Sequence, residues 1–309
     1  MKGPLFYSKI LLFGEYGIIK DSKGLSIPYN FYNGALKMDG NTNENALKSN
    51  SNLKNYVSYL SEINPDLVVF DIQKLQEDVS NGMYFDSSIP QGYGVGSSGA
   101  LVAAIYDKYA FDKITVLENL TREKLLQLKS IFSEMESFFH GKSSGLDPLN
   151  SYLSIPILIN SKDNIEATGI PSQKSDGKGA VFLLDSGIIG ETAPMVSIFM
   201  ENMKQEGFRK MLKDQFIKYT DACVDDFLQG DMSSLFSNTK KLSKVVLNHF
   251  KPMIPKQFHE LWKKGLESNE YYLKLCGSGG GGYILGFTED FSKAQKALKD
   301  YKLEVVYNF

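Results

Sequence analysis

The order of apolar and polar positions along the chain predicts a mixture of strands and helices. An apolar, β-prone run over 6–14 ends in glycine and predicts a strand that enters a tight turn. Apolar residues at helical spacing predict helices over about 100–109 and 122–139. The Asn- and Ser-rich segment 40–54 predicts a solvated loop, with a short helix over 53–63.

The second half of the chain continues this pattern around a polar, glycine-containing turn region. That region indicates a soft boundary at about 165–190, which we place between an N-terminal domain, 1–175, and a C-terminal domain, 176–309. The remaining patterns predict strands at 153–159, 180–185, 273–287 and 302–307, and helices at about 194–205, 208–228, 233–250, 256–267 and 290–300.

Composition narrows the class of protein. The 309 residues are 42% hydrophobic and 23% charged, enough to bury the core of one large domain or two smaller ones. The formal net charge of −2 gives no basic field, so we expect a small-molecule partner, with neither nucleic acid nor membrane. The two cysteines, Cys223 and Cys276, lack CxxC spacing, and no run reaches the ~20 apolar residues of a membrane span. These features predict a cytoplasmic protein.

The segment QGYGVGSSGA, residues 91–100, places four glycines and two serines between a strand predicted after Gly82 and the helix that follows. A helix N-terminus leaves up to about four backbone N–H groups unpaired, and glycines let a phosphate approach them. The segment has neither the GKT or GKS of a P-loop nor the register of a dinucleotide fingerprint. It predicts a different phosphate loop, the alternative being a turn capped by Ser97 or Ser98.

Three segments together resemble, in order and spacing, the motifs of the GHMP kinase superfamily. They are YSKILLFGEYG at 7–17, PQGYGVGSSGA at 90–100 and LKLCGSGGGGYILGF at 273–287. The second is similar to the family pattern PxxxGLGSSAA, with Val95 in place of leucine and Gly99 in place of alanine. The resemblance implies an ATP-binding loop made of Pro90, Gly92, Gly94, Val95, Gly96, Ser97, Ser98, Gly99 and Ala100.

The same resemblance implies a two-domain α+β fold. The N-terminal domain would be like the second domain of ribosomal protein S5, and the C-terminal domain would be ferredoxin-like. ATP and Mg²⁺ are the implied cofactors, and a small-molecule alcohol is the implied second substrate. Assembly stays open, a homodimer included.

The stretch ESFFHGKSSGLD, residues 136–147, brings polar residues to the end of a predicted helix. Glu136 and His140 are four apart and share a helix face, and Asp147 follows a glycine-rich break. HExxH is absent, so zinc is not indicated, and a surface Glu and His with a capping Asp is the plain alternative. The stretch is similar to the mevalonate kinase pattern ExxxHGxPSGxD, with Ser143 in place of proline.

That pattern favours phosphorylation of the primary alcohol of mevalonate, in isoprenoid biosynthesis. SKILLFGEYGII supplies Lys9 and Glu15 in the register of a mevalonate kinase motif, but Tyr16 stands where histidine is expected. The GEY and GSSGA forms are reminiscent of phosphomevalonate kinases, so phosphomevalonate kinase or another GHMP kinase stays an alternative. A non-catalytic GHMP-like ligand-binding protein is the alternative from another class.

Carried over residue by residue, the resemblance implies a role for each polar group. Asp147 is the expected base for the alcohol proton, and Lys9 would keep Asp147 ionised and stabilise charge on the attacking oxygen. The Ser98 hydroxyl and the Glu136 carboxylate are the expected ligands of Mg²⁺, which prefers hard oxygen donors. Substrate contacts are expected from Glu15, Tyr16, His140, Ser144, Gly145, Thr192, Gly277, Ser278 and Gly279.

Overall fold

A computed structural model describes residues 4–115, 119–174 and 176–309. Its strands are β1 (Phe6–Phe13), β2 (Gly24–Lys37), β3 (Tyr84–Ser87), β4 (Ile157–Ser161), β5 (Asn164–Ala167), β6 (Ala180–Asp185), β7 (Tyr272–Leu275), β8 (Tyr283–Thr288) and β9 (Leu303–Asn308). Its helices are α1 (Glu44–Leu60), α2 (Ile72–Ser80), α3 (Ser97–Tyr109), α4 (Arg122–His140), α5 (Leu146–Leu153), α6 (Thr192–Asn202), α7 (Glu206–Met211), α8 (Lys218–Gln229), α9 (Met232–His249), α10 (His259–Ser268) and α11 (Phe291–Ala297). None of the described helices is long and apolar enough to cross a membrane.

The chain forms two compact units whose segments interleave along the sequence. Residue 175, at which we place the domain boundary, lies outside the described residues, and division at that point stays a prediction. The segments are Met1–Lys9, Ile27–Pro90 and Gly96–Ile155 for unit 1, and Ile10–Ser26, Gln91–Val95 and Pro156–Phe309 for unit 2.

Unit 1 packs helices α1 to α5 with parts of β1 and β2 and with β3. Residues Gly34–Lys37 of β2 pair antiparallel with β3. Helix α3 is buried along almost its whole length, because small and apolar side chains such as Ala103 and Ile105 occupy most of its faces. Helix α4 buries one apolar face that includes Leu128 and Phe132, as the spacing over 122–139 predicts.

The segment 40–54 is not the loop that its composition predicts. Helix α1 begins inside it, because the Asn43 side chain accepts a hydrogen bond from the Ala46 N–H (2.8 Å) and caps the helix. The apolar residues Leu53 and Val57 face the core, while most of the other side chains are exposed. A polar helix with an asparagine cap has the composition of a loop, which is why the prediction was wrong over 44–54.

Unit 2 contains a four-stranded antiparallel sheet in the order β7-β8-β6-β9. Helices α6 to α10 connect β6 to β7, and α11 connects β8 to β9, so the elements follow the β-α-β-β-α-β course of a ferredoxin-like domain. In the same unit, Gly24–Ser26 of β2 pair with β4, and β4 pairs with β5. The predicted α+β class and ferredoxin-like C-terminal domain are confirmed.

Two predicted strands differ in extent from the observed ones. The stretch 273–287 is two strands, β7 and β8, because four glycines between them have φ between +66° and +79°, which L side chains rarely adopt. The strand predicted at 153–159 begins later, at β4, because α5 extends to Leu153 and three residues separate it from the strand. The glycine-rich segment Cys276–Gly282, which we call the third glycine loop, is therefore a turn at the end of the sheet.

Candidate active site

The predicted phosphate loop joins α3 at Gly96. This residue is the N-cap of α3, with φ +80°, and no described side chain forms a cap hydrogen bond there. Ser97 and Ser98 begin the helix instead of capping it, so the capped-turn alternative is wrong. Along the loop and first turn, Pro90, Tyr93, Gly94, Ser97 and Ser98 are half-buried, Gly92 is exposed, and Val95, Gly96, Gly99 and Ala100 are buried.

In unit 2, Gly92 and Gly94 of this loop lie directly against other backbone. The Gly190 N–H donates to the Gly92 carbonyl (3.0 Å), and a Cβ on Gly92 would lie 2.9 Å from the Gly190 oxygen. A Cβ on Gly94 would lie 2.6 Å from the Cys276 oxygen. Both loop positions also have positive φ, +76° and +78°. Close approach and backbone conformation together require glycine at both.

In unit 1, Lys9 and Asp147 form an ion pair. The Lys9 Nζ lies 2.8 Å from Asp147 Oδ1, and the side chains are 5% and 37% exposed. Strand β1 carries Lys9, and α5 carries Asp147 in its first turn, where the partial positive charge of a helix N-terminus favours a carboxylate. The buried ammonium is thus compensated by a carboxylate that solvent and ligands can still reach.

The phosphate loop approaches this ion pair through two glycines. A Cβ on Gly96 would lie 3.1 Å from Lys9 Cγ and 3.7 Å from Asp147 Oδ2. A Cβ on Gly99 would lie 2.7 Å from the Asp147 carbonyl carbon, so α3 and α5 are in backbone contact at that point. The candidate base therefore lies beside the first turn of the helix that follows the phosphate loop.

Glu136 is a buried carboxylate, 3% exposed, held by two hydroxyl groups. Ser98 Oγ donates to its Oε1 (2.9 Å), and Ser143 Oγ donates to its Oε2. Burial, followed by the negative charge of Asp147, raises the Glu136 pKa to about 7, against the opposing effects of the two hydroxyl hydrogen bonds and of Lys9.

His140, the last residue of α4, is exposed and contacts Ser98: its Nε2 lies 3.1 Å from Ser98 Oγ. With the Ser98 hydroxyl donating to Glu136, Nε2 donates to Ser98 Oγ in the histidine tautomer that carries its proton on Nε2. Ser144 is exposed and accepts a hydrogen bond from the Leu146 N–H (3.4 Å). Gly145, the N-cap of α5 with φ +73°, has no room for a side chain, because a Cβ would lie 2.2 Å from the Lys129 oxygen.

The donor set around Ser98 fits Mg²⁺. A hydroxyl and a carboxylate are hard oxygen ligands, and the mutual repulsion of Glu136 and Asp147 is the kind that a cation relieves. Among the described residues, no three His, Cys, Asp or Glu side chains are grouped to hold a metal. Mg²⁺ takes one or two protein groups and completes its shell with phosphates and water.

The remaining candidates form a second group within unit 2. The Tyr16 hydroxyl donates to the Ser278 carbonyl (2.7 Å), and Ser278 Oγ donates to Thr192 Oγ1 (3.4 Å). Glu15 is buried and accepts a hydrogen bond from Lys274 Nζ (2.7 Å). Gly277 and Gly279 lie on either side of Ser278 in the third glycine loop, with φ +66° and +78°. The substrate roles of these residues stay predictions.

Two residues of these groups have no assigned role in the sequence analysis. Lys274 is a lysine in the middle of the buried strand β7, and an isolated charge in an apolar strand is a usable signal of an ion pair. Ser143 stands where the family pattern has proline. Its hydroxyl also accepts a hydrogen bond from the Gly145 N–H (3.1 Å), so it links Glu136 to the start of α5. No local pattern predicts that link.

The part of the chain that carries several of these residues matches a known protein family. Residues 66–154 match the family model described as GHMP kinases N terminal domain, a range that contains the phosphate loop, Glu136 and Asp147. No curated protein sequence matches the chain.

Several solved structures are similar over the whole chain. L. major mevalonate kinase in complex with R-mevalonate is 16% identical, with a TM-score of 0.63 and coverage of 100% of this chain and 99% of that one. Streptococcus pneumoniae phosphomevalonate kinase in complex with phosphomevalonate and AMPPNP is 12% identical, with a TM-score of 0.62 and coverage of 99% and 98%. Lactococcus lactis galactokinase complexed with galactose is 11% identical, with a TM-score of 0.62 and coverage of 98% and 92%.

Identities this low establish a shared fold and leave the phosphate acceptor open. Residues 66–154 therefore match the GHMP kinase N-terminal domain, and over its whole length the chain has the GHMP kinase fold of these solved structures.

Proposed function

We propose that the protein is an ATP- and Mg²⁺-dependent kinase that phosphorylates the primary alcohol of mevalonate, a step of isoprenoid biosynthesis in the cytoplasm. The observation that carries the proposal is the Lys9–Asp147 ion pair beside Gly96 and Gly99 of the phosphate loop. The whole-length similarity to mevalonate kinases, together with the ExxxHG and SGxD matches at Glu136 and Asp147, supports mevalonate as the acceptor. A homodimer stays a prediction.

Phosphoryl transfer depends mainly on positioning and charge neutralisation, because the transferred group spreads negative charge over its oxygens. The backbone N–H groups around Gly94 to Ala100 would hold the phosphates of ATP at the start of α3. Asp147 would orient the alcohol and accept its proton. A carboxylate is a weak base for an alcohol, so the proton would move late in the transfer.

Lys9 would act on the attacking oxygen as well as on Asp147. Its side chain is 5% exposed, so its charge is weakly screened by solvent and acts strongly at short range. While the O–H bond weakens, the ammonium would stabilise the negative charge on the alcohol oxygen. Lys9 and Asp147 would thus work as a pair.

Ser98 and Glu136 would hold Mg²⁺, which when bound neutralises charge on the phosphate oxygens. The hydroxyls of Ser98 and Ser143 fix both oxygens of the Glu136 carboxylate, so its orientation is set before a ligand arrives. His140 would keep the Ser98 hydroxyl in place from the other side.

Phosphomevalonate kinase is the second candidate, favoured by the GEY sequence at Tyr16 and by the similarity to S. pneumoniae phosphomevalonate kinase. The deciding experiment is a coupled ADP-release assay with mevalonate, phosphomevalonate, homoserine and galactose in parallel. We expect the highest kcat/KM with mevalonate. A higher value with phosphomevalonate would transfer the assignment to the second candidate. Binding of ATP without Mg²⁺-dependent ADP release from any alcohol would favour a non-catalytic ligand-binding protein.

A further inference from the structure

The turn Gly14–Gly17 of unit 2, which we call the GEYG turn, is attached to the third glycine loop at two points. Tyr16 reaches Ser278 in the middle of that loop, and Glu15 reaches Lys274 in the strand that leads into it. Both contacts join residues about 260 positions apart in the sequence; the Glu15–Lys274 contact is buried and the Tyr16–Ser278 contact is partly buried.

The Tyr16 side chain is buried between aromatic rings and a backbone carbonyl. It is 8% exposed, and its ring lies 4.7 Å from the Phe199 ring and 6.1 Å from the Phe250 ring, centroid to centroid. Its hydroxyl donates to the Ser278 carbonyl at 2.7 Å. Burial raises the pKa of that hydroxyl well above its usual range, so it keeps the proton it donates.

The backbone conformation of Tyr16 is also constrained by its surroundings. Its φ is +61°, a value that costs an aromatic residue on the order of 1–3 kcal/mol. Such a conformation persists only where surrounding contacts enforce it. Here the hydrogen bond to Ser278 and the two phenylalanine rings do so.

Lys274 supplies the second attachment. Its Nζ donates to Glu15 Oε1 (2.7 Å) and to the Leu275 carbonyl (2.8 Å), and the side chains of the ion pair are 5% and 6% exposed. A buried ion pair tolerates little displacement, because separating the charges leaves each without compensation in a medium of low polarity. The end of β7 is thus fixed to the GEYG turn just before the glycines begin.

The third glycine loop in turn supports the phosphate loop. A Cβ on Gly94 would lie 2.6 Å from the Cys276 oxygen, and a Cβ on Gly277 would lie 3.0 Å from Gly94 Cα. Two backbones in such contact move together, since no side chain separates them. The conformation of Gly94 therefore depends on that of the loop Cys276–Gly282.

We propose that Tyr16, with the Glu15–Lys274 pair, is a positioning residue for ATP: it fixes the third glycine loop, against which Gly94 of the phosphate loop packs. The proposal rests on the proposed kinase function for the identity of the nucleotide. It gives Tyr16 a role different from the alcohol contact that the sequence motif implies. A hydroxyl already donated to Ser278, on a ring enclosed by phenylalanines, has no proton to offer a substrate.

The test is Tyr16→Phe, which removes one hydroxyl and keeps the ring and the fold. The matched control is Tyr307→Phe, because the Tyr307 hydroxyl also donates to a backbone carbonyl in unit 2, that of Pro171, and Tyr307 is likewise buried. Hydrogen exchange followed by mass spectrometry reports on peptides covering 91–95 and 276–282 without requiring activity. Binding of AMPPNP and the KM of each substrate are measured on the same proteins.

Loss of one hydrogen bond should speed exchange in both peptides about 2- to 10-fold in Tyr16→Phe and leave them unchanged in Tyr307→Phe. The Kd for AMPPNP should rise by a similar factor, whatever the change in the KM for the alcohol, because Gly277, Ser278 and Gly279 of the same loop are predicted to contact that substrate. Unchanged exchange in both peptides, or a rise confined to the KM of the alcohol, would overturn the proposal. Failure of the kinase assignment alone would leave the exchange result readable, so the two failures are distinguishable.

Discussion

Substitution of Gly99 by alanine tests the contact between α3 and α5. Gly99 stands where the family pattern has alanine, and alanine in a helix is favoured over glycine by about 0.5–1 kcal/mol. Sequence reasoning alone would therefore expect Gly99→Ala to stabilise the protein. The structure predicts the opposite, because the new Cβ would meet the backbone that carries Asp147.

The geometry sets the size of the effect. The added Cβ would lie 2.7 Å from the Asp147 carbonyl carbon, 2.8 Å from the Pro148 nitrogen and 3.0 Å from Asp147 Cβ. Ordinary contact begins at 3.4 Å, so α5 must move away by about 0.7 Å (3.4 − 2.7). Overpacking of this kind costs about 1–3 kcal/mol, which exceeds the helix preference. We expect a net loss of up to about 2.5 kcal/mol in the free energy of unfolding.

Two quantities test this prediction, the free energy of unfolding in urea and kcat. Urea unfolding should show the loss for Gly99→Ala, and kcat should fall on the order of 10-fold, because Asp147 moves relative to Lys9 and the phosphate loop. Gly207→Ala in α7 is the control: beyond its chain neighbours and its own helix backbone, no atom of the described residues lies within 4 Å of the new Cβ. Only the helix preference remains, a gain of about 0.5–1 kcal/mol. A Gly99→Ala protein that gains as much as Gly207→Ala, with kcat unchanged, would refute the packing described for α3 and α5.

Three further predictions concern charged groups. Asp147→Asn should lower kcat at least ~100-fold in the ADP-release assay while AMPPNP still binds, and near-normal kcat would exclude Asp147 as the base. Without Mg²⁺, the Glu136 pKa of about 7 lies above its usual 4.5, so between these pH values the folded state binds a proton that the unfolded state does not. The free energy of unfolding therefore falls by roughly 3 kcal/mol as pH rises through that window. Urea unfolding of Glu136→Gln should lack this fall. Lys274→Met should lower the free energy of unfolding by about 3–5 kcal/mol, because it leaves Glu15 buried and uncompensated. The double variant with Glu15→Gln should recover most of this loss. An unchanged free energy of unfolding in the single variant would contradict the buried pair.

Local patterns predicted the elements with a clear run or spacing of apolar residues. Helix α4 buries the one face that its apolar spacing marks, whereas α3 and β1 are largely apolar runs that are buried on most sides. Strand β2 has no such mark: its sequence, GLSIPYNFYNGALK, contains proline and glycine, and its ends pair with different strands. Its existence depends on partners that lie far away along the chain.

Helix α5 escaped prediction for a related reason. It has only eight residues and begins at a glycine with positive φ, after a polar break. A helix this short is marginal by itself, and tertiary packing decides whether it forms. Here its backbone contact with Gly99 of α3 supplies that packing.

The candidate site divides in the same way. By itself, the sequence determined the resemblance to the GHMP kinases. It also marked four candidate site residues, Lys9, Ser98, Glu136 and Asp147, because each belongs to a short motif with fixed spacing. Only the tertiary structure decided that Lys9 pairs with Asp147, that Ser98 bonds to Glu136, and that Tyr16 is directed to Ser278. The physical reason is that a charged group or hydroxyl removed from water must form a hydrogen bond or ion pair with another group. That partner has to be close in space but can lie anywhere along the chain.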